Sequence, residues 1–156
     1  MSTKEPESIL FRYKPVLKYD FISEHASILA SHGKVWVWKI GKPLSINIAQ
    51  NVINRGGGLI LKSPKKDGDK YYHCKLTGIR EKKPEEDYLY PAYYQKIQIS
   101  EYGPVATGFW FCIESINELM PEEIERLYLC SNNRKVVDVI KETRTVIMRV
   151  YRANNQ

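Results

Sequence analysis

The sequence predicts an α+β fold, a small mixed β-barrel with flanking short helices, and three observations point to it. Short stretches alternate apolar and polar residues at the period of a strand, as in Lys34 to Ile40. A hairpin stands out at 59–79, with Asp67-Gly68 at its tip. Between the strands lie short helices with their own caps and stops, in no regular βα repeat, which favours α+β over a doubly wound sheet. Five or six strands over 156 residues are enough to curl into a small barrel or half-barrel.

The elements follow in order. Residues 1–8 are polar and read as a disordered tail, leaving 9–156 as a single domain. Ile9 to Tyr13 is a first strand. Ser23 is a candidate N-cap for a helix over Glu24 to Ser31, which Gly33 stops. In Lys34 to Ile40, Trp36 and Trp38 share one face, while Val35, Val37 and Lys39 take the other. Gly41 to Pro43 is a turn, and Ser45 opens a helix over Ile46 to Asn54. Arg55 and the run Gly56-Gly57-Gly58 end it, because three glycines continue a helix only at high cost. The hairpin comes next, then a solvated charged loop from Lys82 to Asp87. Tyr93 to Ser100 reads as a strand, and Thr107 to Ile113 as a buried one. Pro121 at a first helical position predicts a helix to about Leu129. A second short helix runs from Arg134 to Glu142, and Thr145 to Tyr151 closes the chain as a strand.

Composition narrows the function classes. Lys plus Arg is 24 and Asp plus Glu is 18, a net charge of +6, with a pI near 9.1. That excess suits an anionic partner such as nucleic acid. Eleven tyrosines against four phenylalanines favour rings on half-wet surfaces, where a hydroxyl finds partners. The three cysteines form no CxxC pair, so neither a zinc site nor a disulfide framework is expected. No stretch nears the roughly 20 apolar residues of a membrane span. Free cysteines without a leader-like segment point to a cytoplasmic protein with no membrane partner.

No catalytic constellation is legible. His73 and Cys74 are strand neighbours and point to opposite faces, so they form no nucleophile–base pair. His25 and His32 are seven apart and lack a third ligand. No catalytic residue, metal ligand or cofactor is therefore expected. What remains is the chemistry of reading a base. A flat wall comes from Trp36 and Trp38, and a second from Tyr90, Tyr93 and Tyr94. Polar groups for a base edge come from Ser45, Asn47 and Asn51, the last two one helical turn apart. Stacking a base on such a ring contributes about 1–3 kcal/mol. Tryptophans on a strand are also ordinary core residues, so one is expected to be buried and the other to face the pocket. Phosphates would meet Arg55, Lys62, Lys65, Lys66, Lys70 and Lys75 around the hairpin, giving affinity that weakens with salt.

Three stretches also carry a family resemblance. They are the strand Val35-Trp-Val-Trp38, the passage from Ile53 through Leu59-Ile-Leu-Lys62 to Thr77-Gly-Ile79, and Tyr90-Pro-Ala-Tyr93 leading to Lys96-Ile-Gln-Ile99. Together, over roughly residues 34–150, they resemble the EVE domain family of the PUA-like group, which also contains ASCH and YTH domains. The chain departs from that family at Gly57-Gly58, where a Gly-Asp pair usually opens the outgoing strand. The resemblance implies a compact barrel that binds DNA or RNA and holds one flipped, often modified, base in an aromatic pocket. Two other classes stay open: a small nucleotide- or RNA-processing enzyme, and a protein-interaction module with a protein partner or a second copy of the chain. Salt separates them, since phosphate contacts weaken steeply with ionic strength and apolar interfaces do not.

Overall fold

The computed structural model describes residues 5–14, 18–40, 45–95 and 108–153. Among the described residues eight strands form one sheet: β1 (Ser8–Arg12), β2 (Val35–Ile40), β3 (Gly58–Lys62), β4 (Tyr71–Arg80), β5 (Gly108–Ile113), β6 (Asn117–Glu118), β7 (Leu127–Leu129) and β8 (Ile147–Arg152). Flanking it among the described residues are the α-helices α1 (Phe21–His32), α2 (Ile46–Asn54), α3 (Pro121–Ile124) and α4 (Val136–Glu142). The strand order is β2-β5-β4-β3-β1-β8-β7, with β6 on β4. Among the described residues every pairing of these strands is antiparallel except β1 with β3. The fold is thus α+β with a large, mostly antiparallel sheet. Among the described residues β2 and β7 remain unjoined edges, so the sheet is not closed into the expected barrel.

The ten-residue β4 organises the sheet. Its first half pairs with β3 and its second half with β5, and the register slips between Leu76 and Gly78. A bulge of this kind sharpens local twist and bends the strand. The bent sheet gathers one inner core from alternate residues of five strands. Ile9, Val37, Leu59, Leu76 and Phe111 are among them, and Phe21 of α1 and Val52 of α2 cap it. The opposite residues make two outer clusters. Leu10, Ile60 and Val150 pack with Val136 and Val139 of α4. Trp38 and Trp110 pack with Tyr90, Tyr93 and Tyr94. The two-face reading of β2 holds: Val35 and Val37 enter the inner core, and Trp36 and Trp38 the outer cluster.

Several boundaries move. Asp20, not Ser23, caps α1: its carboxylate accepts the Ser23 N–H at 2.9 Å. The helix expected from Pro121 to Leu129 ends at Ile124, because Leu127 to Leu129 pair with β8 and bury Leu127. Tyr93 to Gln95 form a helical turn in place of the start of a strand, with the Tyr94 N–H on the Pro91 carbonyl. The rest of that expected strand, 96–100, lies outside the described residues, as do the turn at 41–43 and residues 1–4. Residues 5–8 are no loose tail. The Glu5 N–H donates to the Arg152 carbonyl, Arg152 and Arg149 grip Glu5 and Glu7, and Ser8 begins β1. This lead-in accounts for Gly57: a Cβ there would stand 1.9 Å from the Glu7 carbonyl oxygen. The N–H groups of the glycine run are already taken, by the Ile53 and Val52 carbonyls and the Ser8 hydroxyl, so the run offers no open cradle for a phosphate.

Candidate functional site

The structure brings all five predicted rings together. Trp38 stacks on Trp110 at 5.0 Å with planes 2° apart, and Tyr94 meets both edge-on. Tyr90 leans on Trp110, and Tyr93 on Tyr94. Trp36 packs against the cluster from the same strand face. Trp110 belongs to this stack but escaped the sequence reading, because it lies in a run that is apolar throughout. The cluster is packed: Trp38, Tyr90, Tyr93 and Tyr94 are each 4% exposed or less. These four are therefore wall and core, not open platforms. The Tyr90 hydroxyl is buried with no hydrogen-bond partner among the described residues.

A buried polar relay anchors the cluster to α1. His25 is fully buried, and its Nδ1–H donates to the Phe21 carbonyl at 2.7 Å. That leaves Nε2 to accept the Tyr94 hydroxyl proton at 2.6 Å. The Trp38 N–H in turn donates to the Tyr94 oxygen at 3.3 Å. Burial holds the His25 pKa down to about 4, so the imidazole is neutral at pH 7. The Tyr94 phenol is pushed far above its usual value by the same loss of solvent.

Trp36 is the tryptophan left accessible. It is half-buried and lines a shallow groove of about 550 Å³ with Ile46, Gly78 and Arg80. The Arg80 guanidinium lies 5.9 Å from its ring centroid. Ser45 and Asn47 flank Ile46 in the chain and are exposed, and Asn51 is one turn further along α2, also exposed. Of the two tryptophans, Trp38 is core and Trp36 is half-buried at the edge of the cluster.

The predicted phosphate residues divide. Lys65, Lys66 and Lys70 are exposed at the hairpin tip. Lys62 is not available as predicted. It is 3% exposed, and its ammonium donates to the Ser63 carbonyl at 2.7 Å and to Asp69 at 2.5 Å. Lys75 and Arg55 sit at the far end of the hairpin, where Lys75 faces Gly58 across the ladder and lies 4.0 Å from Glu114.

Two hollows flank the tip. One, of about 390 Å³, is lined by Tyr13, Tyr19, Phe21 and Tyr72, with Lys66 and Lys70 on its wall. Tyr19 also stacks on Tyr93 at 4.8 Å, so the buried aromatic cluster reaches the hairpin through this ring. The other, a cleft of about 860 Å³, lies between the hairpin and α4 and shares Tyr13 with the first. Tyr13, Tyr19 and Tyr72 are site residues that the sequence reading passed over. Tyr72 stands at the tip on β4 itself, and the β1–β3 pairing and the docking of α1 bring Tyr13 and Tyr19 to it. Comparison with known protein families, with curated proteins and with solved structures gives no match.

Proposed function

We propose that this chain binds a nucleic-acid strand, DNA or RNA, with phosphates on the β3–β4 hairpin tip and bases against the rings beside it. The observation that carries this reading is the tip itself. Lys65, Lys66 and Lys70 are exposed and have no ion-pair partner among the described residues, and an adjoining hollow presents the part-exposed rings of Tyr19 and Tyr72 beside the buried rings of Tyr13 and Phe21. Cations beside accessible rings are the elements of single-strand binding: the charges track the backbone and the rings take bases. Trp36 offers a further ring. It lies on β2, with Cys112 of β5 between it and Gly78 of β4. The bent, open sheet is in keeping with a PUA-like half-barrel, the fold that the resemblance of Val35-Trp-Val-Trp38, of Ile53 through Ile79 and of the stretch from Tyr90 to EVE domains implies.

The test is a salt titration of binding to short single-stranded oligonucleotides. Changing Lys65, Lys66 and Lys70 together to alanine should weaken every sequence alike and flatten the slope of log K against log salt by roughly 2–3. An unchanged slope makes the tip ordinary surface and removes the reading.

A further inference from the structure

The large cleft between the hairpin and α4 has a composition that strand binding at the tip does not use. Six cationic side chains line it: Arg12, Lys14, Lys62, Lys65, Lys141 and Arg144. One carboxylate lines it, Asp69, and that is already paired with Lys62. Arg12 is tied as well, donating to the Thr143 carbonyl at 2.6 Å. Lys14, Lys65, Lys141 and Arg144 are exposed and have no carboxylate partner among the described residues. The neighbouring hollow differs: its three lysines, Lys18, Lys66 and Lys70, face two carboxylates, Asp20 and Asp67. The charge excess is therefore concentrated in the cleft.

These charges converge from distant parts of the chain. Arg12 lies opposite Lys62 in the parallel β1–β3 pair, and the Arg12 N–H donates to the Val146 carbonyl ahead of β8. The ends of β1 and β3, the lead into β8 and the end of α4 thus meet around one opening. Its inner wall is apolar: Tyr71, Ile124, Val137, Ile140 and Val146 line it. A cationic rim over an apolar wall fits an amphipathic anion better than a bare one. The volume of about 860 Å³ lies within the roughly 300–1,000 Å³ of small-ligand sites.

We propose that this cleft binds a nucleoside phosphate, free or as the phosphorylated end of a strand. Lys14, Lys65, Lys141 and Arg144 hold the phosphate, and the base lies on the apolar wall. A phosphate monoester carries close to two charges near neutral pH and has three acceptor oxygens, which suits several cations on one rim. The inference goes beyond the strand-binding reading and stands if that reading fails.

The test is isothermal titration of the full chain with adenosine monophosphate, adenosine and inorganic phosphate. Single-stranded oligonucleotides with a 5′-phosphate or a 5′-hydroxyl form the second arm. Adenosine monophosphate should bind at least about tenfold more tightly than either of its parts, since each engages only one side of the cleft. Lys141→Ala with Arg144→Ala should weaken it by at least about tenfold, while the 5′-hydroxyl oligonucleotide, held at the tip, changes little. The pair Lys14→Ala and Lys65→Ala provides a second probe, scored on adenosine monophosphate alone because Lys65 also belongs to the tip. Preference for the phosphorylated oligonucleotide over the mononucleotide assigns the strand end as the source, and the reverse assigns the free nucleotide. Equal binding of adenosine and its monophosphate overturns the inference, as does binding indifferent to both pairs of substitutions. If the mononucleotide binds while 5′-hydroxyl oligonucleotides do not, the strand-binding reading alone fails.

Discussion

Removing one hydroxyl, by Tyr94→Phe, should unlock the contact between α1 and the aromatic cluster. The Tyr94 oxygen serves two buried groups, Nε2 of His25 at 2.6 Å and the Trp38 N–H at 3.3 Å. Phenylalanine keeps the ring contacts with Trp38 and Trp110 and leaves both groups without this partner. Each buried group stranded in this way costs about 1–3 kcal/mol. The Trp38 bond is long and counts toward the lower end, so the expected loss is about 2–4 kcal/mol. For a chain of this size that lowers Tm by roughly 5–15 °C. The same relay makes folding sensitive to acid. His25 has its pKa lowered from 6.5 to about 4 by burial. Between those values the unfolded chain takes a proton that the folded chain refuses, so stability falls as pH falls. The full drop amounts to about 3 kcal/mol. His73, also lowered chiefly by burial, adds in the same direction. Urea denaturation at pH 7 and at pH 4.5, on the parent, Tyr94→Phe and His25→Leu, measures both effects. A Tyr94→Phe change under about 0.5 kcal/mol would refute the relay. A His25→Leu chain as acid-sensitive as the parent would refute the assignment to His25.

Other outcomes follow from the same geometry. Trp38→Ala, which opens a hole against Trp110, should lose about 3–5 kcal/mol of stability. Trp36→Ala should fold, and should lose about 1–3 kcal/mol in oligonucleotide binding while non-specific salt-sensitive binding persists. If both variants unfold, Trp36 is core and the groove is not a binding surface. Gly57→Ala drives a methyl into the Glu7 carbonyl and the Val52 side chain, so chemical denaturation should show a loss of about 1–3 kcal/mol or more. An unaffected variant would mean that residues 5–8 do not lie across this turn. Cys74, Cys112 and Cys130 form no disulfide among the described residues, so neither a reductant nor a chelator should shift Tm by more than a degree or two. A shift of many degrees points to a bond or metal that the described residues do not account for.

Much of the local structure was legible in the sequence. The helix from Ile46 to Asn54, the hairpin and the opposed faces of Val35-Trp36-Val37-Trp38 follow from periods of 3.6 and 2 and from turn residues, which act within a few positions. The meeting of Trp38 with Tyr90, Tyr93 and Tyr94 was anticipated too, but not its tightness. Burial depends on what else arrives, and Trp110, Tyr19 and His25 arrive from far along the chain. The tertiary structure alone decided the parallel pairing of β1 with β3. No local pattern encodes which distant strand a strand will join, and that pairing sets Arg12 and Lys14 beside Lys62 and Lys65. It also turned Leu127 to Leu129 from the end of a predicted helix into a strand, since pairing with β8 and burying Leu127 outweighs a weak helical preference. Lys62 shows the same division: its charge was plain from the sequence, but its loss to Asp69 depended on the geometry of the folded tip. The sequence by itself determined which residues could carry charge and stack on a base, because side-chain chemistry is local. Which of them share an opening to solvent was decided by long-range packing.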